Sequence, residues 1–185
     1  VIACTHFCVM PIVGIGTALS AAAGKAIGEK QHEKAVMQTA SCLRAGIIYT
    51  LIAGSVLLIF REKIMMGWAP QDAQVRSTGT SLLVLTAFSL IFYAFRNIYS
   101  GLLRGAGDTL WLAAASCFSS ILILGLGGIL ISKAMPQLGA VAPWLAALAS
   151  IVTVSICNFL RFRSGKWKEI DLHKHPPPPP SVEIE

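Results

Sequence analysis

Acidic residues are scarce in this 185-residue chain and absent from its longest stretches. Nine Asp and Glu stand against fifteen Lys and Arg, and charged residues total 13%, where a soluble domain carries about 25%. The runs Val1–Gly24, Ser77–Phe95, Thr109–Ser132 and Ala134–Leu160 hold no Asp, Glu, Lys or Arg, and Ala35–Phe60 is broken only by Arg44. With 55% hydrophobic residues and a mean hydropathy of +0.67, an ordinary soluble domain is excluded. A membrane-crossing helix needs about 20 mainly apolar residues, which these runs supply or nearly supply. They are too long for barrel strands, and lipid admits only helices or closed barrels. The fold class is therefore an all-α polytopic membrane protein with five transmembrane helices.

Other absences narrow the chemistry. No CxxC pair occurs among Cys4, Cys8, Cys42, Cys117 and Cys157, so neither a disulfide framework nor a zinc site is expected. Cys4 and Cys8 share a helical face from which His6 points away, and His173 and His175 have no further ligand nearby. No metal and no cofactor is expected. GxSxG, HExxH and GKS/T are missing, and Glu29, Glu33, Asp72 and Asp108 are scattered, so the chain does not read as an enzyme. No carboxylate lies inside a span, which places any proton- or cation-coupling site outside this chain or on backbone and hydroxyl oxygens. The chain starts with Val and shows no charged segment before its first apolar run. No signal peptide is visible, and a piece of something longer is expected.

The spans are expected at Val1 to about Gly24, about Ala35 to Phe60, about Ser77 to Leu103, Thr109 to about Ser132, and about Leu138 to Leu160. Residues 1–163 would form the transmembrane helical unit and 164–185 a basic, Pro-rich cytoplasmic tail, expected to be disordered because HKHPPPPP favours an extended, unbonded backbone. The connections sort by charge. Lys25, Lys30, Lys34, Arg104, Arg161, Arg163, Lys166, Lys168 and Lys174 fall on one side, and Arg61, Lys63, Arg76 and Lys133 on the other. That asymmetry puts the first and third connections and the C-terminus in the cytoplasm. Trp68, Trp111, Trp144 and Trp167 fall at or just beyond span ends, as interfacial anchors do. The net charge of +6 thus reports membrane orientation, with no nucleic-acid partner implied.

The third span carries the most information. Phe88, Phe92, Phe95 and Tyr99 form one aromatic stripe, while Ser89, Tyr93, Arg96, Asn97, Ser100 and Arg104 gather on a second face. Polar groups in hydrocarbon face protein or water, so that face is either a solute path or a set of interhelical bonds with Arg96 snorkelling to headgroups about 12 Å away. The first span is rich in small residues, with Gly24 and Gly28 forming a GxxxG for close helix approach, and Pro11 and Gly14 permit a kink. Between the third and fourth spans lies LLRGAGDT. Gly105 and Gly107 suit a tight turn with left-handed backbone, Asp108 suits the N-cap of the next helix, and Arg104 suits the C-terminus of the preceding one, within reach of Asp108. A structural corner accounts for these residues better than a substrate contact, and it would make the third and fourth spans move as one unit.

Several segments in order resemble the multidrug and toxic compound extrusion (MATE) family. MPIVGIGTALSAAAGKAIGEKQHEKA (Met10–Ala35) resembles the second helix of a MATE lobe with its cytoplasmic turn, and GWAPQDAQVRSTGTSLLVL resembles the outer-surface element. GLLRGAGDT (Gly101–Thr109) is the most specific match, to the turn between a lobe's fourth and fifth helices. LGAVAPW and RFRSGKWKEI resemble the start of the last helix and its basic exit. The resemblance implies a C-terminal-lobe fragment carrying five helices of a six-helix lobe, with the N-terminal lobe of the same protein missing. It implies a secondary active transporter in the bacterial inner (plasma) membrane. The transporter would export amphiphilic or cationic organic solutes by H+ or Na+ antiport with alternating access. Membrane lipid and small organic solutes would be its partners. Pro11, Gly14, Gly24, Gly28, Arg104, Gly105, Gly107, Asp108 and Thr109 would be structural motif residues, and Met10, Ser89, Tyr93, Arg96 and Asn97 would face the substrate cavity. A lipid-linked saccharide flippase of the wider superfamily, with Arg96 on an anionic headgroup, and a non-transporting membrane interaction protein are the alternatives.

Overall fold

Long apolar runs without internal breaks fold as long helices, since every backbone polar group is then satisfied within its own segment. The computed structural model describes residues 1–68, 71–139 and 141–170. Its helices are α1 (Ile2–Gly28), α2 (His32–Trp68), α3 (Ala73–Gly105), α4 (Thr109–Phe118), α5 (Gly128–Ala134) and α6 (Val141–Arg163). A π-helical stretch, Ser119–Gly127, joins α4 to α5, so Thr109–Ala134 counts as one span. Five spans among the described residues are long and apolar enough to cross a membrane. The chain is a multi-pass helical membrane protein.

The span boundaries differ from the sequence expectation in instructive ways. α2 and α3 reach 37 and 33 residues, about 50 Å or more each, and so project beyond a hydrocarbon layer of about 30 Å. The charges Arg61, Glu62, Lys63 and Arg76 ride on these helical extensions rather than on a loop. Asp72 starts α3 as its N-cap, accepting from the backbone N–H groups of Gln74 and Val75 at 2.9 and 3.0 Å. α1 runs through Pro11 without interruption. The ring deprives the Phe7 carbonyl of its usual donor, but the segment keeps helical geometry. α6 begins at Val141 because Pro136–Leu138 forms a separate 3-10 turn closed by Gly139 at φ 48°. Pro143 then sits in the first turn, where its missing N–H costs nothing. The five-proline run, His173, His175 and Lys174 lie outside the described residues, as do Pro70 and Ala140.

α3 is the centre of the bundle and packs against α1, α2 and α6. It runs parallel to α1 in a fixed register: Thr5 Oγ1 meets Thr86 Oγ1 at 3.4 Å, 81 residues on, and Gly16 meets Asn97 while Gly24 meets Gly105 at the same offset. It is also parallel to α6, with the Ser155 hydroxyl donating to the Phe92 carbonyl at 2.9 Å and Phe162 against Tyr99 at 5.1 Å between ring centroids. α2 returns antiparallel, placing Gly46 under Ile98, Gly54 on Ala87 and Met65 on Gly79.

Backbone approach along the α1–α3 seam is set by glycine. A Cβ on Gly16 would stand 2.7 Å from the Asn97 carbonyl oxygen, and one on Gly101 would collide with the Gly16 carbonyl. Gly105 abuts the Ser20 carbonyl and Gly24 N. The working small-residue pattern is thus Gly16, Ser20 and Gly24 on α1 against Gly101 and Gly105 on α3. The expected Gly24–Gly28 pair is half right: Gly28 is exposed and meets nothing within 4 Å. Two buried clusters flank this seam, one around Ile12, Leu19, Ile98, Leu102 and Trp167, the other around Cys8, Leu57, Leu83 and Leu90.

Candidate functional site

At one end of the bundle the α1–α2 turn, the α3–α4 turn and the residues after α6 meet. The α1–α2 turn is three residues long, with Lys30 in left-handed conformation at φ 60° and the Gln31 N–H bonded to the Ala26 carbonyl at 2.8 Å. In the α3–α4 turn, Gly107 alone takes positive φ, at 80°, and the Asp108 N–H reaches the Leu103 carbonyl at 2.9 Å. Gly105 is required by its contact with α1 rather than by turn geometry, which corrects the expectation for that residue.

Asp108 has a different partner from those expected. It occupies the N-cap position of α4, but its side chain makes no capping bond. Instead the carboxylate receives two bonds from Arg161 on α6, Nε to Oδ2 at 2.6 Å and Nη2 to Oδ1 at 3.3 Å. The Arg161 guanidinium also stacks over the Trp111 ring at 5.0 Å. Asp108 is buried and Arg161 largely so, which makes a bidentate, charge-assisted pair of the stronger kind. Arg104 is exposed and makes no ion pair with Asp108. The corner therefore fastens α3 and α4 to α6, 53 residues further on. Nothing in the order of residues marks Arg161 as the partner, because the contact is created by packing.

Trp167 corrects another expectation. It is fully buried rather than interfacial. Gly165, left-handed at φ 73°, turns the chain back after α6. Trp167 then stacks on Phe162 and meets the edge of His32 at 6.0 Å, its Nε1–H donating to the Phe162 carbonyl at 3.0 Å. This strap closes the first core from below. At the opposite end, Val1, Trp68, Asp72, Gln137 and Val141 line a groove of about 840 Å³. The two sets of connections separated by charge in the sequence thus collect at opposite ends.

The polar face of α3 resolves into two parts. The stripe Phe92, Phe95 and Tyr99 faces α6, with Tyr99 against Phe159 and Phe162, while Phe88 remains exposed. Asn97 and Gly101 face α1. At about 3.6 residues per turn, Ser89, Tyr93, Arg96 and Ser100 fall on the face of α3 between these two contacts, with Ser89 buried and Arg96 and Ser100 half-buried. Tyr93 packs onto both cores. Met10, on α1, is 64% exposed. Asn97 is drawn into the seam, where its amide donates to the Tyr93 carbonyl at 2.8 Å. The Ser89 hydroxyl is buried and donates to the Thr86 carbonyl at 2.7 Å. No group of three or more His, Cys, Asp or Glu is positioned to hold a metal among the described residues.

The MatE family model matches residues 1–128, a stretch that contains α1, α2, α3, α4 and the turn between α3 and α4. The chain belongs to the MatE family. Its similar curated relatives are three proteins each named "Probable multidrug resistance protein NorM". The one from Thermotoga maritima is 27% identical over 164 residues, covering 86% of this chain and 34% of the relative. Those from Buchnera aphidicola subsp. Baizongia pistaciae and Pasteurella multocida are 26% and 24% identical, covering 83% and 86% of the chain and 34% and 35% of the relatives. The chain spans about a third of the length of these relatives. No solved structure matches it significantly. In this MatE unit the corner holds α3 and α4 to α6 through Asp108 and Arg161, and one face of α3 carries Ser89, Tyr93, Arg96 and Ser100.

Proposed function

We propose that this MatE chain is part of one lobe of a secondary active transporter, not an enzyme. The transporter exports amphiphilic, often cationic, organic solutes by H+ or Na+ antiport with alternating access. The likeness to three NorM relatives across more than four-fifths of the chain carries the reading. The geometry suits it. Parallel α1, α3 and α6, locked by a glycine seam and by Asp108–Arg161, make a stiff unit of the sort that rocks as a body around a central site. The polar face of α3 would be that lobe's wall of the solute path, with a second lobe supplying the facing wall. The cytoplasm would lie at the Arg104 end, in the inner membrane of a bacterium, in keeping with nine cations there against four. The apolar runs contain no carboxylate, and the buried Asp108 is taken by Arg161, so the coupling ion would bind elsewhere in the protein.

The test is dye accumulation in an efflux-deficient bacterium expressing the full-length gene. Cells with the transporter should hold several-fold less of at least one amphiphilic dye or drug from a broad panel. Equal accumulation of every compound with and without the gene contradicts the reading.

A further inference from the structure

The α1–α2 hairpin carries two adjoining cavities of about 460 Å³ each, which share Lys34 and Met37. One is a mostly apolar groove between the helices, lined by Ala18 and Ala22 of α1 and by Met37, Gln38, Ser41 and Cys42 of α2. Both alanines are exposed, and their small side chains leave the groove its width. From Lys34 to Cys42 it runs about 12 Å, most of the half-thickness of a hydrocarbon layer about 30 Å deep. The other cavity lies at the turn and is lined by Lys30, His32, Glu33 and Lys34. Lys25 adds a further cation there, on the same face of α1 as Ala18 and Ala22. Lys30 holds a left-handed backbone at φ 60°, fixed by its N–H on the Ile27 carbonyl at 2.9 Å. Glycine or asparagine adopts that conformation more readily, so a lysine there points to a use for its side chain. Lys34 reaches Glu29 at only 4.0 Å, with both side chains about half exposed, a loose surface pair that leaves the ammonium able to take a second oxygen. His32 Nδ1 and Gln38 Oε1, one in each lining, are buried with no hydrogen-bond partner among the described residues. Buried polar atoms are normally bonded.

We propose that the α1–α2 hairpin binds one phospholipid, from the leaflet at that end, whose headgroup carries a primary amine beside its phosphate, as phosphatidylethanolamine does. The phosphate lies between the Lys30 and Lys34 ammoniums, the amine donates to the Glu33 carboxylate, and one acyl chain fills the groove over Ala18 and Ala22. An apolar slot at hydrocarbon depth that opens into a charged cavity at its end has the polarity of a lipid, tail to head. Glu33 decides the headgroup. A purely anionic headgroup would meet that carboxylate as well as the lysines, and a trimethylammonium has no N–H to give it, whereas a primary ammonium makes a charge-assisted bond. The site is independent of what the protein transports.

Native mass spectrometry of the delipidated full-length protein tests this, with phosphatidylethanolamine, phosphatidylcholine and phosphatidylglycerol of identical acyl chains added separately. The wild type should hold the ethanolamine lipid about tenfold more tightly than the choline lipid, the scale of one charge-assisted hydrogen bond. Glu33→Gln should erase that preference, and Lys30→Gln combined with Lys34→Gln should weaken all three lipids severalfold. Ala22→Phe should fill the groove and weaken all three as well, while the protein still elutes as the wild type does in size-exclusion, because the ring takes the place of lipid alone. Equal binding of the ethanolamine and choline lipids by the wild type overturns the proposal, whether or not any variant folds. Tighter binding of the glycerol lipid, or a preference that survives Glu33→Gln, also overturns it. Loss of folded protein in Ala22→Phe does the same, because a helix of the remaining protein, not a lipid, then lies in the groove.

Discussion

Asp108→Ala should destabilise the bundle, because it removes the carboxylate that takes two bonds from Arg161 where three elements meet. Breaking one partner of a buried pair costs about 3–5 kcal/mol, more than the intact pair contributes, since the remaining charge stays in the interior. The Arg161 side chain keeps 20% exposure, so the lower part of that range applies. Its stacking on Trp111 at 5.0 Å offers only partial compensation, of about 0.5–2 kcal/mol. The loss is structural in kind: the turn and the start of α4 lose their tie to α6, while the polar face of α3 is untouched. Thermal unfolding of the detergent-purified full-length protein should therefore shift down by several degrees in D108A. The fraction that reaches the membrane should keep the wild-type ratio of transported solutes. An unshifted transition, or a changed solute profile, would show that the corner has some other role.

Gly101→Val should have an effect at least as large, by a different mechanism. The new Cβ would meet the Gly16 carbonyl oxygen, and that atom belongs to the backbone of a helix held at both ends. Overpacking a tight site costs about 1–3 kcal/mol where side chains can yield. Here only separation of α1 from α3 relieves the clash, and that separation also opens the contacts at Asn97 and Gly105. We expect Gly101→Ala to lower the yield of folded protein severalfold and Gly101→Val to abolish it. Gly28→Ala is the control. Gly28 meets nothing within 4 Å, and an alanine in a helix gains about 0.5–1 kcal/mol over glycine, so that variant should fold at least as well as the wild type. Fluorescence-detected size-exclusion of the tagged full-length protein reads all three. A monodisperse Gly101→Val peak at wild-type height would contradict the register.

These contrasts show how far the sequence could be read. Five spans were legible because charge-free runs of membrane length allow little else, and the separation of their connections to two ends followed from the position of the lysines and arginines. Boundaries were less legible. Apolar periodicity says where a helix enters lipid, not where it stops, so the extensions of α2 to Trp68 and of α3 back to Ala73 were hidden by their own charges. The glycines illustrate the same limit. Gly24 and Gly28 satisfy the GxxxG spacing as well as Gly101 and Gly105 do, but only the second pair, with Gly16 and Gly24 opposite, faces another helix. Spacing identifies a candidate surface, and the partner decides whether it is used. Asp108 shows the limit most clearly. Its local sequence offers a cap and a nearby arginine, yet the fold supplies Arg161 from 53 residues away. Trp167 has the same lesson: a tryptophan after a span looks like an interfacial anchor until Gly165 turns it inward. On the third span, the aromatic and polar faces were visible as two stripes. The sequence left open which of the polar residues a neighbouring helix would cover, and α1 covers Asn97.

The most direct test of the account is ion-gradient-driven transport by the purified full-length protein in proteoliposomes loaded with a fluorescent amphiphile. An imposed H+ or Na+ gradient should drive the dye against its own concentration, and an ionophore that dissipates that gradient should abolish the movement. Dye movement that ignores both gradients, or none at all in liposomes shown to contain folded protein, would contradict the claim that this chain is part of a lobe of an antiporter.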